Sequence, residues 1–116
     1  MQRVQRSRKK GAKLPANTRC VNRPTKWGNP YKIEKRGKSY IIEDIRTDKT
    51  HGKLYENKND AAALAVELFT VYIKKELQKG NLNLNELRTF DNLACVCSLQ
   101  APCHADVLIE LLAKTE

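Results

Sequence analysis

The chain has 116 residues, 41% hydrophobic and 30% charged, a balance that fits one domain around one core. No apolar run reaches the ~18 residues of a membrane span, and no apolar segment of the secretory kind follows the basic start, so neither a membrane span nor a secretory signal is expected and a cytoplasmic protein is. The net charge of +9 sits at one end: residues 1–33 hold ten Lys or Arg and no acid, and the remaining 12 bases face all 13 acids.

Segregated positive charge attracts polyanions, and nucleic acid is the commonest one in a cytoplasm. The plainer use of such a segment is a solubilising leader. Residues 1–14 are expected to form an extended basic arm, ahead of a single α/β domain over 15–116. The centre of TRCVNR, Thr18 to Arg23, is short and strand-like. RPTKWGNPY, Arg23 to Tyr31, holds two prolines, a glycine and an asparagine, so it must turn tightly. Tyr40, Ile41, Ile42 and Ile45 make Lys38 to Ile45 β-rich. With KLYEN beyond the polar RTDKTHG stretch, they predict a hairpin with a loose loop. Lys35 to Lys38 read as an exposed turn and His51 as a solvated loop residue.

The strongest helix expectation is Asp60 to Lys79. Ala62, Ala65, Val66, Phe69, Ile73 and Leu77 recur at helical spacing. Asn59 can serve as N-cap, and Lys74, Lys75, Lys79 and Gly80 suit the far end. A shorter helix is expected around Leu84 to Arg88. Asn92 to Cys97 reads as a buried strand, SLQAP as a turn, and Cys103 to Lys114 as an amphipathic helix with Val107, Leu108, Leu111 and Leu112 on its apolar face. Pro102 suits that helix start, where a missing N–H costs nothing. The order implies a small α/β fold: a sheet of about four strands, a long central helix and a C-terminal strand–loop–helix unit. Sites in such sheets lie beyond the carboxyl ends of strands, where Cys97 falls and where Cys103 and His104 open the next helix.

Three of the four cysteines and one histidine lie between Cys95 and His104. As metal ligands, Cys95, Cys97, Cys103 and His104 offer the N and S atoms that tetrahedral zinc takes, at spacing C-x-C-x5-C-H. Alternation along a strand puts Cys95 and Cys97 on one face. A three-ligand set completed by Cys20 or water is the variant. As a reactive site, Cys103 in a first helical turn would meet unpaired N–H groups and the positive dipole end, which favour thiolate. His104 and Cys97 would share that reacting centre, and the same N–H groups can hold a phosphate or carboxylate. As plain structure, Cys95 and Cys20 pack as small hydrophobes. The absence of a C-x2-C pair speaks against redox work.

In the tight loop, Arg23 and Lys26 suit phosphate. Trp27 can stack on a base or cap the core, and Asn29 can meet a base edge or its own turn. Asp106 can orient His104 or Arg23. The loop and the cysteine junction are expected to line one cleft.

VNRPTKWGNPY and LACVCSLQAPCHADVLIELL together resemble an uncharacterised domain-of-unknown-function family frequent in bacteriophages, prophages and bacterial genomes. The resemblance extends to the basic start Arg3-Val4-Gln5-Arg6 and to the helix segment Ala65-Val66-Glu67-Leu68-Phe69. Asn22 and Ala105 stand where that family commonly has Gly, and Val96 where it has a bulky aromatic. The resemblance implies that both motifs belong to one domain, in a phage or mobile-element setting, and by analogy a nucleotide or nucleic-acid partner. Three functions are therefore expected in competition. The first is a cytoplasmic, nucleotide- or nucleic-acid-directed protein with Cys97, Cys103 and His104 as reacting centre. The second is a zinc-stabilised nucleic-acid-binding module without catalysis. The third is a host-interaction protein with structural cysteines.

Overall fold

The structure, a computed structural model, describes residues 1–7, 9 and 11–114; Arg8 and Lys10 of the basic segment lie outside them. Two sheets form. Strands β1 (Gln2–Gln5) and β2 (Thr18–Cys20) both pair with β6 (Asn92–Cys95), which lies between them, and both pairings are parallel. Strands β3 (Tyr31–Arg36), β4 (Ser39–Asp44) and β5 (Lys49–Tyr55) make an antiparallel meander. Helix α1 (Lys58–Gln78) follows β5, the single-turn α2 (Asn85–Arg88) precedes β6, and α3 (His104–Lys114) closes the sequence of elements.

The mixed α/β class read from the sequence holds, and its strands divide between two sheets. Part of the segment read as an arm is β1, an edge strand of the parallel sheet. Strand β3 is an element the sequence reading lacked: its outward positions are Lys32, Lys35 and Arg36, which mask the half-buried Tyr31 and Ile33. Gly37, at φ +62°, turns the chain back into β4. His51 lies within β5 and packs edge-on against Tyr31 at 5.5 Å between ring centres, not in a solvated loop.

Helix α1 begins two residues before the expected start. Its cap is Asn57, whose side-chain oxygen accepts from the Asn59 N–H at 2.8 Å, so Asn59 is inside the helix. Ala61, Ala62, Ala65, Phe69 and Ile73 are buried, the stripe that the spacing predicts. The helix lies on the meander and meets α3, which lies on β1 and β6. The core where they meet contains Val21, Trp27, Phe69, Ile73, Leu87, Leu93 and Leu108, none with any exposed surface. Each such side chain contributes about 1.5–3 kcal/mol of burial. No helix among the described residues is long and apolar enough to cross a membrane.

Candidate functional site

Parallel pairing decides where the site forms. Because β2 and β6 run the same way, the segments leaving their carboxyl ends emerge at one edge of the sheet. After β2 come Val21, Asn22 and the tight loop; after β6 come Val96, Cys97 and the turn into α3. A cleft of about 590 Å³ opens between them, and its lining includes Asn22, Arg23, Asn29, Cys95, Cys97 and His104. The loop and the cysteine junction thus share one hollow, with Lys32 and Lys58 on its other walls. A second cleft, of about 690 Å³, adjoins it through Asn22, Arg23 and Val96 and takes Arg6, Lys9 and Lys13 into its lining. No carboxylate lines either cleft among the described residues.

The floor of the first cleft is a sulfur–imidazole cluster. Cys95, the last residue of β6, is buried; Cys103, immediately before α3, and His104, the first residue of α3, are 2% and 5% exposed. The ligand atoms of these three lie within 4.8 Å of one another. Cys97 is half-buried, and its sulfur is 3.7 Å from that of Cys95. The His104 Nδ1 is 3.8 Å from the Cys103 sulfur, while Nε2 is 2.7 Å from the Val21 carbonyl oxygen. A carbonyl can only accept, so Nε2 carries a proton, and Nδ1 is the ring nitrogen that faces the Cys103 sulfur. The ring is wedged edge-on against Phe69, 5.0 Å between centres.

The three thiols do not titrate alike. Hydrogen bonds from Cys103 and then Cys97 hold Cys95 well below the ordinary thiol range. Contact with Cys103 and Cys95 pushes Cys97 up. For Cys103, the neighbouring Cys95 acts upward, but donation from Cys97 and the contact with His104 leave it below its ordinary value. A cluster of this kind releases its first proton readily and its last reluctantly.

Arg3, which sequence reasoning placed only in a basic arm, is a part of this site that it missed. From β1 its guanidinium donates to the carbonyls of Leu99 at 2.6 Å and Ala101 at 3.1 Å, and pairs with Asp106 at 3.3 Å. The Cys103 thiol lies near enough to help hold the Arg3 guanidinium above its ordinary value. One 10%-exposed side chain therefore ties down the turn between the cysteines and sets a positive charge beside the cluster. No local signal announces this role. It follows from β1 lying alongside β6, a pairing across most of the chain.

Several expected ligand contacts are replaced by structural ones. Trp27 has no exposed surface, so it is a core residue and cannot stack on a base. Asn29 is buried; it donates to the Ala65 carbonyl and accepts from the Tyr31 N–H, which uses both ends of its amide. Lys26 points away from the cleft and pairs with Glu86. Asp106 pairs with Arg3, not with His104 or Arg23. Cys103 precedes α3, and its burial makes it a poor nucleophile for any substrate in the cleft. Cys20, on β2, stands outside the group of convergent ligand atoms. Arg23 remains exposed at the cleft, with one guanidinium N–H donating to the Asn29 carbonyl at 2.6 Å. Gly28 makes that position workable, since a Cβ there would lie 3.0 Å from the Arg23 backbone nitrogen and Cα. Asn22, 9% exposed, gives its N–H to the Arg23 carbonyl, but its buried side-chain oxygen has no partner.

The fold and site therefore define a small α/β domain with a thiol–imidazole cluster at the base of a cation-lined cleft. A family model described as a domain of unknown function (DUF4326) matches residues 4–114, and the chain belongs to that family. No curated protein and no solved structure matches it.

Proposed function

We propose that this domain binds a nucleotide-class polyanion, such as a single strand of nucleic acid, along its two adjoining clefts. The observation that carries the proposal is the lining: Arg6, Lys9, Lys13, Arg23, Lys32 and Lys58, with no carboxylate opposing them among the described residues. Cations on low-dielectric walls focus a field that favours phosphate. Phosphates would run past Arg6, Lys9, Lys13 and Arg23. Catalysis by Cys103 forms no part of this reading. A reduced, cytoplasmic, phage-type setting does, with all four cysteines free.

Titration of a labelled single-stranded oligonucleotide with the full chain, read by fluorescence anisotropy across a salt series, tests this. Four phosphate contacts give a slope of about −3 in log K against log salt. Arg23→Gln, at the junction of the clefts, weakens binding about tenfold. Binding that ignores salt, or an R23Q affinity equal to the wild type, would sink the proposal.

A further inference from the structure

We infer that Cys95, Cys97, Cys103 and the Nδ1 of His104 form a tetrahedral zinc site, with Arg3 and the Val21 carbonyl as its supporting groups. The inference stands on geometry and does not depend on what the clefts bind. Sulfurs each about 2.3 Å from a tetrahedral zinc are about 3.8 Å apart. The Cys95 and Cys97 sulfurs are 3.7 Å apart, and the Cys103 sulfur and His104 Nδ1 3.8 Å. The ligand atoms of Cys95, Cys103 and His104 lie within 4.8 Å of one another, which leaves room for one ion between them. Cys97, outside that group but beside Cys95, would turn its sulfur inward as the fourth ligand.

The surroundings fit a metal better than a set of thiols packed as small hydrophobes. A ligating histidine nearly always donates its other ring N–H to a carbonyl or carboxylate, which fixes the tautomer. His104 does this to Val21, in the segment leaving the neighbouring strand. Three thiolates and one divalent ion carry a net charge of −1, costly inside a core unless offset. Arg3 supplies the opposite charge: it ties down the turn between Cys97 and Cys103, and its side chain is only 10% exposed. Four protein ligands saturate zinc, so the ion is structural: it staples the end of β6 to the start of α3 and leaves no open position for a substrate.

Cobalt(II) added to the reduced, metal-free full chain reports the ligand set. A saturable 1:1 titration, with a near-ultraviolet sulfur-to-cobalt band and visible bands of tetrahedral strength, displaced by zinc, is the expected result. Cys97→Ser lowers the sulfur-to-cobalt band by about a third, as two thiolates replace three, and Cys20→Ser leaves it unchanged. Alkylation of the native wild type gives a reading that needs no variant to fold: zinc protects Cys97, the one thiol of the set that is only half-buried. A weak octahedral spectrum, or no saturable 1:1 binding, overturns the site. A C97S spectrum matching the wild type, or Cys97 equally reactive with and without zinc, overturns the four-ligand set.

Discussion

The two sheets are built on opposite principles. The meander β3–β4–β5 joins neighbours in sequence through short turns, and its outer strand β5 is mostly exposed. The parallel sheet joins strands of three and four residues that come from far apart in the chain. Its interstrand bonds are few, and one of them continues beyond the strands as Val21 N–H to the Ala94 carbonyl at 2.9 Å. Yet the site belongs to the parallel sheet. Local connectivity stabilises the meander, whereas side chains from several segments must hold the parallel sheet: Arg3 from β1, the Val21 carbonyl after β2, and the Cys/His cluster after β6. The contrast shows that the site and the strand order are one construction.

Metal removal separates the halves most sharply. With zinc bound, chelation costs the parallel sheet most of its tether, an effect on the order of 10 kcal/mol where a structural zinc holds a small fold. Hydrogen exchange in the chelated protein should lose protection in β6 and α3 while β3 and β4 keep theirs. Equal loss in both sheets would show that they do not fold as separable units. Trp27→Ala is next, because the ring fills the core beneath both motifs: about 3–5 kcal/mol by denaturant unfolding. Trp27→Phe should cost far less, about 1.5 kcal/mol or under, since the indole N–H has no hydrogen-bond partner to lose.

Gly28→Ala should cost about 1–3 kcal/mol, because the new Cβ meets Arg23 backbone and not a movable side-chain tip. It should also weaken oligonucleotide binding by displacing Arg23. The smallest effect belongs to the meander alone. Asp44 is buried and accepts from Arg46 at 2.9 Å on each carboxylate oxygen, and that pairing holds its carboxyl below the usual range. The stability this adds is fully present above the unfolded value of about 3.9 and is lost as pH falls through the lower folded value. Asp44→Asn should therefore flatten the acid limb of a stability-against-pH curve while leaving cobalt binding intact. An unchanged acid limb would mean that Asp44 is not the group responsible.

Legibility in the sequence follows the same division. Helix α1 was readable because Ala62, Ala65, Phe69 and Ile73 repeat at its own period, and the cysteine cluster because its members lie within ten residues. The carboxyl-edge position of Cys97 was readable from the strand–loop–helix pattern. What was not readable depends on long-range pairing or on competition between uses of one side chain. Arg3 looks like its neighbour Arg6 until β1 lies beside β6. Trp27 and Asn29 have the chemistry of base recognition, but the core and the Ala65 carbonyl take them first. Strand β3 escaped notice because its charged residues Lys32, Glu34, Lys35 and Arg36 look like a solvated turn.

The middle strand of the parallel sheet is also its last in chain order. During synthesis, β1 and β2 leave the ribosome with no strand to pair with in that sheet, while the three strands of the meander already have one another. Their vacant edges must wait until Asn92–Cys95 emerges and slides between them, so the cleft is the final part of the nascent protein to take shape.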